Sequence, residues 1–378
     1  MTRRRYFGIG QASRLASLLD TLGVQRVFLV TGRSSFQASG AATTLAPALA
    51  GRYTYRHFDF RENPSFEDVL TGVLALKAHA ADVVVAIGGG TAIDTAKLIN
   101  ALAFQEAAAL DIITGHAPVA RRGLPLICLP TMSGSGSEAT HFAVVYVGSK
   151  KFSVAHPSLL PDFVLIDPAL TFSLPPRLTA ITAMDALAQA VESYWSIHST
   201  QRSKRYAAAA IRLALKHVAA AVHAPSPTSR AAMSLAAHLA GMAINISKTT
   251  AAHALSYALT SHFGIPHGHA VSLTLGQLFL YNTQLDDSDV ADPRGRSYVL
   301  GTLAELATLL GCSSATECRD RIDAAMRSLG LETRLSELGI SPAEALQVLE
   351  NNVNMERLAN NPRRLDRDAI RGIVRAIG

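Results

Sequence analysis

At 378 residues the chain has room for two domains with buried cores, and 49% hydrophobic against 17% charged residues excludes intrinsic disorder. Its net charge of +6 is scattered in short clusters such as 202–205 and 363–364, with no zinc-finger spacing, RNP-like segment or basic helix with interleaved aromatics. That pattern argues against a nucleic-acid partner and leaves attraction of anionic metabolites open.

Along the first 168 residues, strand and helix signals alternate. Residues 27–31 are a short apolar, β-rich run ending at Gly32, and 53–60 is a second run before the polar turn 61–64. From Ser65 the apolar residues Phe66, Val69, Leu70, Val73, Leu74 and Leu76 fall at helical spacing, with Glu67 and Asp68 in the favoured first turn. Residues 83–87 read as a fully buried strand followed by glycines, 91–103 as a helix, and 126–129 as another buried strand. Such alternation predicts a Rossmann-like α/β domain, a parallel sheet covered by helices on both faces. After Pro168 strand signals nearly vanish. Residues 178–195, 202–222, 228–244 and 251–263 are alanine- and leucine-rich helical patterns, so an α/β domain over 1–168 and an all-helical domain over 169–378 are expected.

Three cysteines, Cys128, Cys312 and Cys318, are too scattered for a disulfide scaffold or a cysteine-type zinc site, and a reduced cytoplasm is the expected compartment. The chain holds neither an apolar run of membrane-spanning length nor a secretory h-region, so no membrane partner is expected.

Two segments carry the chemistry. Gly88, Gly89, Gly90 and Thr91 follow a buried strand and open a helix that carries Asp94 and Lys97. Glycines let backbone approach a phosphate closely, and free N–H groups at a helix start complement its charge. The spacing is neither the dinucleotide GxGxxG nor a P-loop, and by itself it fits a ligand-free turn equally well. The second segment, 130–138, again follows a buried strand and contains Thr131, Ser135 and Ser137. Two such loops after two strands of one sheet point to the strand-end crevice where dinucleotides bind.

Together the segments resemble the GGGSxxDxAK and PTxxGTGSE motifs of the iron-containing (group III) alcohol dehydrogenase family, at 88–97 and 130–138. Further matches run through 7–10, 167–168, 174–176, 184–187, 265–268 and 361–363. The resemblance implies the architecture shared with dehydroquinate synthase: an N-terminal dinucleotide-binding α/β domain and a C-terminal all-α metal-binding domain. It also implies hydride transfer between NAD(P)H and a carbonyl, in a homodimer. The family's metal ligands fall here on Asp185, Gln189, His253 and His267, with Fe2+ favoured and Zn2+ or another divalent ion as alternatives. Gln189 replaces the family's His, and a Gln carbonyl is a neutral and weaker ligand than imidazole, so a metal-free, non-catalytic dinucleotide-binding protein is the competing class. A second His of the family, next to the nicotinamide, is replaced by Tyr257, whose phenol can donate a proton or simply pack.

Many NAD-using relatives carry Asp where this chain has Gly32. Without that carboxylate, Arg33 and the hydroxyl of Ser34 can receive a 2′-phosphate, so NADPH is expected, with NADH as the alternative. Lys248 precedes His253, and His141, Lys151, His156 and His269 are further polar or basic residues near the motifs. Cations close to a carbonyl-activating site suggest a small anionic aldehyde. Segments 140–146, 153–161 and 248–257 resemble the phosphonate-biosynthesis branch, whose members reduce phosphonoacetaldehyde to 2-hydroxyethylphosphonate. A broad aldehyde reductase without anion preference is the alternative.

Overall fold

The apolar runs of the first half become strands buried on both faces. In the computed structural model, which describes residues 3–148 and 150–378, they are β1 (Arg4–Phe7), β2 (Arg26–Thr31), β3 (Tyr53–His57), β4 (Val83–Gly88), β5 (Leu126–Pro130), β6 (Phe142–Val147), β7 (Lys150–Ala155) and β8 (Phe163–Ile166). Six form one parallel sheet in the order β1-β8-β5-β4-β2-β3, while β6 and β7 pair antiparallel as a hairpin.

Successive side chains on a strand point to opposite faces, and here both faces are covered. Phe28, Val30, Val84, Ala86, Leu126 and Cys128 lie in the apolar layer that includes helices Phe66–His79 and Gly90–Leu102. Val27, Leu29, Val83, Val85, Ile127 and Leu129 lie in the other, with helices Arg14–Thr21 and Ala41–Leu49. This is why the strands read as unbroken apolar runs rather than alternating ones. Helix Phe66–His79 opens on a capping box between Ser65 and Asp68.

The expected strand over 53–60 stops at His57, because the ladder with β2 ends at the Val30–His57 pair. Three pieces escaped the sequence reading. β1 is basic and partly exposed, and only its pairing with β8 makes it a strand. β8 is four residues long, and the β6–β7 hairpin covers 142–155, a region read only as a segment resemblance.

From β2 the chain steps outward to β3 and then back across to β4, so the sheet order reverses between β2 and β4. The carboxyl ends of strands flanking such a reversal form the crevice in which open α/β sheets bind ligands.

The chain divides into two units after Leu174 rather than after Pro168. The turn Pro168–Thr171 stays with the first unit because Asp167 caps it and also accepts from the Ala12 N–H at 2.9 Å. The second unit is helical, led by Pro176–Trp195, Gln201–His223, Pro227–Ser247, Ala251–Phe263 and His267–Thr283. Its core is rich in alanine, including Ala183, Ala190, Ala207, Ala210, Ala236 and Ala240, which lets helix backbones approach closely. Among the described residues no single helix is long and apolar enough to cross a membrane.

Candidate active site

At the carboxyl ends of β4 and β5 two loops meet, and the lack of side chains lets them. A Cβ on Gly88 would stand 2.7 Å from the Ala92 Cβ, one on Gly89 2.5 Å from the Met132 Sδ, and one on Gly90 2.7 Å from the Ser135 Oγ. The Thr131 N–H donates to the Gly88 carbonyl at 3.0 Å, which closes the contact. Helix Gly90–Leu102 begins there without a side-chain cap, so its first N–H groups and its positive dipole end are available to an anion. The loop after β2 joins from the other side: a Cβ on Gly88 would lie 3.5 Å from the Gly32 nitrogen.

Two residues expected to touch the cofactor do something else. Lys97 is fully buried, and its Nζ lies 2.6–3.1 Å from five oxygens: the Ser137 carbonyl and hydroxyl, the Thr140 carbonyl and hydroxyl, and the Phe142 carbonyl. Asp94 accepts from the Ser137 hydroxyl and, at 3.0 Å, from the Val144 N–H. Both carry the second loop into β6 and position it. Thr91 is also engaged, its hydroxyl donating to the Glu62 carbonyl.

In the loop after β2, Arg33 forms an exposed ion pair with Asp59. Its neighbour in space, Arg56, was not singled out from sequence. The Arg56 guanidinium lies 4.7 Å from the Phe36 ring centroid and 4.6 Å from that of Phe58. It donates to Thr31 Oγ1 at 2.8 Å and to the carbonyls of Gly32 and Arg33 at 3.2 and 3.1 Å. It holds this loop as Lys97 holds the other. An arginine within the β3 pattern was the available signal.

In the second unit, Asp185 and Gln189 occupy one face of helix Pro176–Trp195, while His253 and His267 come from helices Ala251–Phe263 and His267–Thr283. Asp185, His253 and His267 each bring a ligand atom within 4.8 Å of the others. The close approach again depends on glycine. A Cβ on Gly268 would overlap the Ile181 carbonyl and stand 2.8 Å from the Asp185 Cβ, so only glycine seats His267 beside Asp185. The donor set fits a divalent cation. Asp185 Oδ1 and Gln189 Oε1 are buried without hydrogen-bond partners, an arrangement costing about 1–3 kcal/mol per group unless a cation satisfies it. A carboxylate and two imidazoles suit a first-row divalent metal.

Glu192, missed in the sequence, organises this group. Fully buried one helical turn beyond Gln189, its Oε1 accepts from the N–H groups of Thr250, Ala252 and His253 at 2.9–3.3 Å and from the Thr250 hydroxyl at 2.8 Å. It thereby caps helix Ala251–Phe263 from a different helix. Its Oε2 holds His253 Nδ1, which orients the His253 Nε2 toward Asp185 Oδ1, 3.5 Å away. Burial works against a charged His253, but Glu192 and Asp185 outweigh it and raise its pKa to about 9. Burial likewise pushes the Asp185 carboxyl up, yet the adjoining His253 and the charge of His267 leave it below the usual carboxylate range. The spacing 185, 189, 192 on one helix face was the signal for Glu192.

Tyr257 stands against this trio: its ring stacks on that of His267, centroids 5.8 Å apart and planes 21° from parallel. Burial raises the pKa of its phenol despite the Arg357 charge. Lys248 does not lie on the helix of His253. It caps the end of Pro227–Ser247 with φ +62°, exposed and 3.4 Å from Glu356. His269 is fully buried with Nε2 2.7 Å from the Glu332 carbonyl, a packing role that takes it out of reach of a solute. In the first unit Lys151 lies on β7, His141 lies just before β6, and His156 Nδ1 accepts from the Ser158 N–H at 3.2 Å in the turn after β7.

The family model for iron-containing alcohol dehydrogenases matches residues 2–168, and that for the family's C-terminal region matches 179–378. The chain is 37% identical to the phosphonoacetaldehyde reductase of Streptomyces viridochromogenes over 78% of its own length and 76% of the relative's. It is 30% identical to the sulfoacetaldehyde reductase of Bilophila wadsworthia over 98% and 96%. Among solved structures, the sulfoacetaldehyde reductase of Bifidobacterium kashiwanohense in complex with NAD+ superposes with a TM-score of 0.87 at 29% identity, covering 99% of this chain and 96% of that one.

Proposed function

Because this chain belongs to the iron-containing alcohol dehydrogenase family, and is thereby an NAD(P)-dependent oxidoreductase acting as an aldehyde reductase or alcohol dehydrogenase, we propose that it reduces phosphonoacetaldehyde to 2-hydroxyethylphosphonate with NADPH. The observation that carries the reading is the cluster of Asp185, His253 and the half-buried His267, each with a ligand atom within 4.8 Å of the others, in a chain 37% identical to a phosphonoacetaldehyde reductase.

In the first unit, Gly88, Gly89, Gly90 and Thr91 receive the cofactor pyrophosphate on backbone N–H groups, with Thr131, Ser135 and Ser137 along the second loop. Lys97 and Asp94 keep that loop in place. Gly32, Arg33 and Ser34 take the 2′-phosphate of NADPH, where an acidic side chain would repel it. In the second unit, Asp185, His253, His267 and the Gln189 carbonyl would hold a divalent ion, Fe2+ in preference to Zn2+. Once bound there, such an ion supplies Lewis-acid polarisation of an aldehyde oxygen, and the reduced nicotinamide supplies the hydride. Glu192 keeps His253 in its ligating orientation. The Tyr257 phenol retains its proton at neutral pH, since burial raises its pKa, and donates that proton to the product oxygen. Lys248 contributes positive charge for the anionic end of the substrate. His141, Lys151 and His156 remain candidates for further anion contacts.

The test is metal content together with NADPH and NADH oxidation on phosphonoacetaldehyde, sulfoacetaldehyde and propanal. The expected result is about one divalent ion per chain and the highest kcat/KM for phosphonoacetaldehyde with NADPH. Equal kcat/KM for propanal would replace this reading by a broad aldehyde reductase, and a preference for sulfoacetaldehyde would move it to sulfonates.

A further inference from the structure

Strand β3 carries an arginine that the glycine turns and the family motifs do not account for. β3 pairs parallel with β2, which sets Arg56 beside Leu29. Side chains alternate along a strand. The rings of Tyr55 and His57 stack on Phe28 on one face, with centroids 5.4 and 6.0 Å apart, so Arg56 projects to the other, where Phe36 and Leu29 belong to the apolar layer. Its guanidinium lies over two phenyl rings, 4.7 Å from the centroid of Phe36 and 4.6 Å from that of Phe58. Its Nε donates to Thr31 Oγ1 at 2.8 Å, and its Nη2 to the carbonyls of Gly32 and Arg33 at 3.2 and 3.1 Å. An arginine offers five N–H donors in a fixed fork. These contacts engage Nε and Nη2 and leave over the two donors of Nη1.

All three acceptors are neutral, and among the described residues Arg56 forms no ion pair with a carboxylate. Arg33 is the reverse case. Asp59 matches its charge, and the two side chains are 69% and 82% exposed. Of the two arginines at this loop, only Arg56 brings a net positive charge, and it is half-buried, where solvent screens it less. Burial pushes its pKa down, a cost that an arriving anion offsets. The position is also right. Thr31, Gly32 and Arg33 close the carboxyl end of β2, and a Cβ on Gly88 would lie 3.5 Å from the Gly32 nitrogen. The loop that Arg56 holds therefore borders the same strand-end crevice as the glycine turn.

We propose that Arg56, through its Nη1 donors, is the residue that recognises the 2′-phosphate of the cofactor, with the exposed Arg33 as the lesser contact. The inference rests on the NADPH reading above and names the charge that decides it. A phosphomonoester carries up to two negative charges and three acceptor oxygens where NADH has a hydroxyl, and a guanidinium fork suits such a group better than a point charge. Telling the two cofactors apart favours a cation that is fixed beforehand, because ordering a loose side chain consumes part of the binding energy. Two aromatic rings and three hydrogen bonds fix Arg56, whereas among the described residues the Arg33 side chain is held by Asp59 alone.

The experiment uses the full chain and the variants Arg56→Gln, Arg56→Lys and Arg33→Gln, with melting curves to establish folding. The readouts are calorimetric Kd values for NADP+ and NAD+, and for adenosine 2′,5′-bisphosphate and adenosine 5′-monophosphate, which test the phosphate without the nicotinamide half. Wild type is expected to bind the 2′-phosphorylated member of each pair more tightly. Arg56→Gln is expected to lower that preference by about ten- to a hundredfold, the range of a charge-assisted hydrogen bond, by weakening NADP+ far more than NAD+. Arg56→Lys keeps the charge but not the fork and loses part of the preference, and it decides the matter where Arg56→Gln does not fold. Arg33→Gln changes the preference by about threefold at most, as suits an exposed ion pair. A wild type that binds NADP+ no more tightly than NAD+ overturns the NADPH reading, and this inference with it. A preference that survives in the folded Arg56 variants overturns this inference alone, as do equal losses of NADP+ and NAD+, which leave Arg56 a brace. A larger loss in Arg33→Gln than in Arg56→Gln overturns it too and assigns the phosphate to Arg33.

Discussion

The glycine cradle of the first unit and the Asp185–His253–His267 trio of the second solve opposite problems. The cradle works by leaving side chains out: Gly88, Gly89 and Gly90 clear the space in which loops approach, and the helix start leaves its backbone N–H groups uncapped. The trio works by putting charge in: Asp185, His253 and Glu192 hold carboxylates and an imidazole where burial would ordinarily expel them, beside the half-buried His267. Each region borrows the other's device once. Lys97 is a buried charge that holds the cradle together, and Gly268 is a missing side chain that lets the trio form. Polar function inside a protein thus depends less on the groups that act than on the ones that hold them.

Five variants and one metal removal test that contrast, from the largest effect to the smallest. His267→Ala is expected to lose both bound metal and aldehyde reduction, by at least about a thousandfold or roughly 4 kcal/mol of activation free energy, checked by elemental analysis and NADPH oxidation. Chelator-stripped wild type should fall equally, and full activity in a stringently metal-free preparation would remove the trio from catalysis. Lys97→Met should cost about 3 kcal/mol of folding stability in a denaturant titration, because it leaves its oxygen acceptors buried and unmade. Cofactor affinity should fall with it. If stability held while affinity fell, Lys97 would be a ligand contact after all.

Glu192→Gln keeps the shape but not the charge, and should weaken metal binding about ten- to a hundredfold in a competitive chelator titration. Unchanged affinity would show that His253 needs no orienting partner. In the cradle, a Cβ at Gly32 would overlap the Ser35 hydroxyl, so the cofactor test is the double variant Gly32→Asp with Ser35→Ala. It should move the NADPH to NADH ratio of kcat/KM about tenfold toward NADH, near 1.4 kcal/mol. A wild type that already prefers NADH would end that assignment. The smallest effect is Lys248→Gly, expected to raise stability by about 1 kcal/mol by relieving the positive φ, where Lys248→Ala should not. A rise in melting temperature for both would assign the gain to charge rather than backbone.

How much of this was legible in the chain differs between the two regions for a physical reason. The cradle segments are contiguous, each a strand, a turn and a helix start within about ten residues, so spacing alone exposed 88–97 and 130–138. Within them the sequence could not show that Asp94 and Lys97 carry hydrogen bonds across the β6 connection, which brace the second loop. The trio draws on helices far apart in the chain, and its ligands were legible only through the family resemblance. Lys248 was read as a cation preceding His253 and close to the site, but it ends the helix Pro227–Ser247 and is exposed.

By itself the sequence determined the α/β half followed by a helical half and the glycine turns, because these depend on local propensity and on periodic apolar patterns. Only the tertiary structure decided which buried polar groups act and which support. That Glu192 caps one helix while holding His253, and that Arg56 braces the loop after β2, are contacts between distant segments. Their energies arise where water is excluded, and the exclusion is set by the packing of the whole unit rather than by the residues alongside them in the chain.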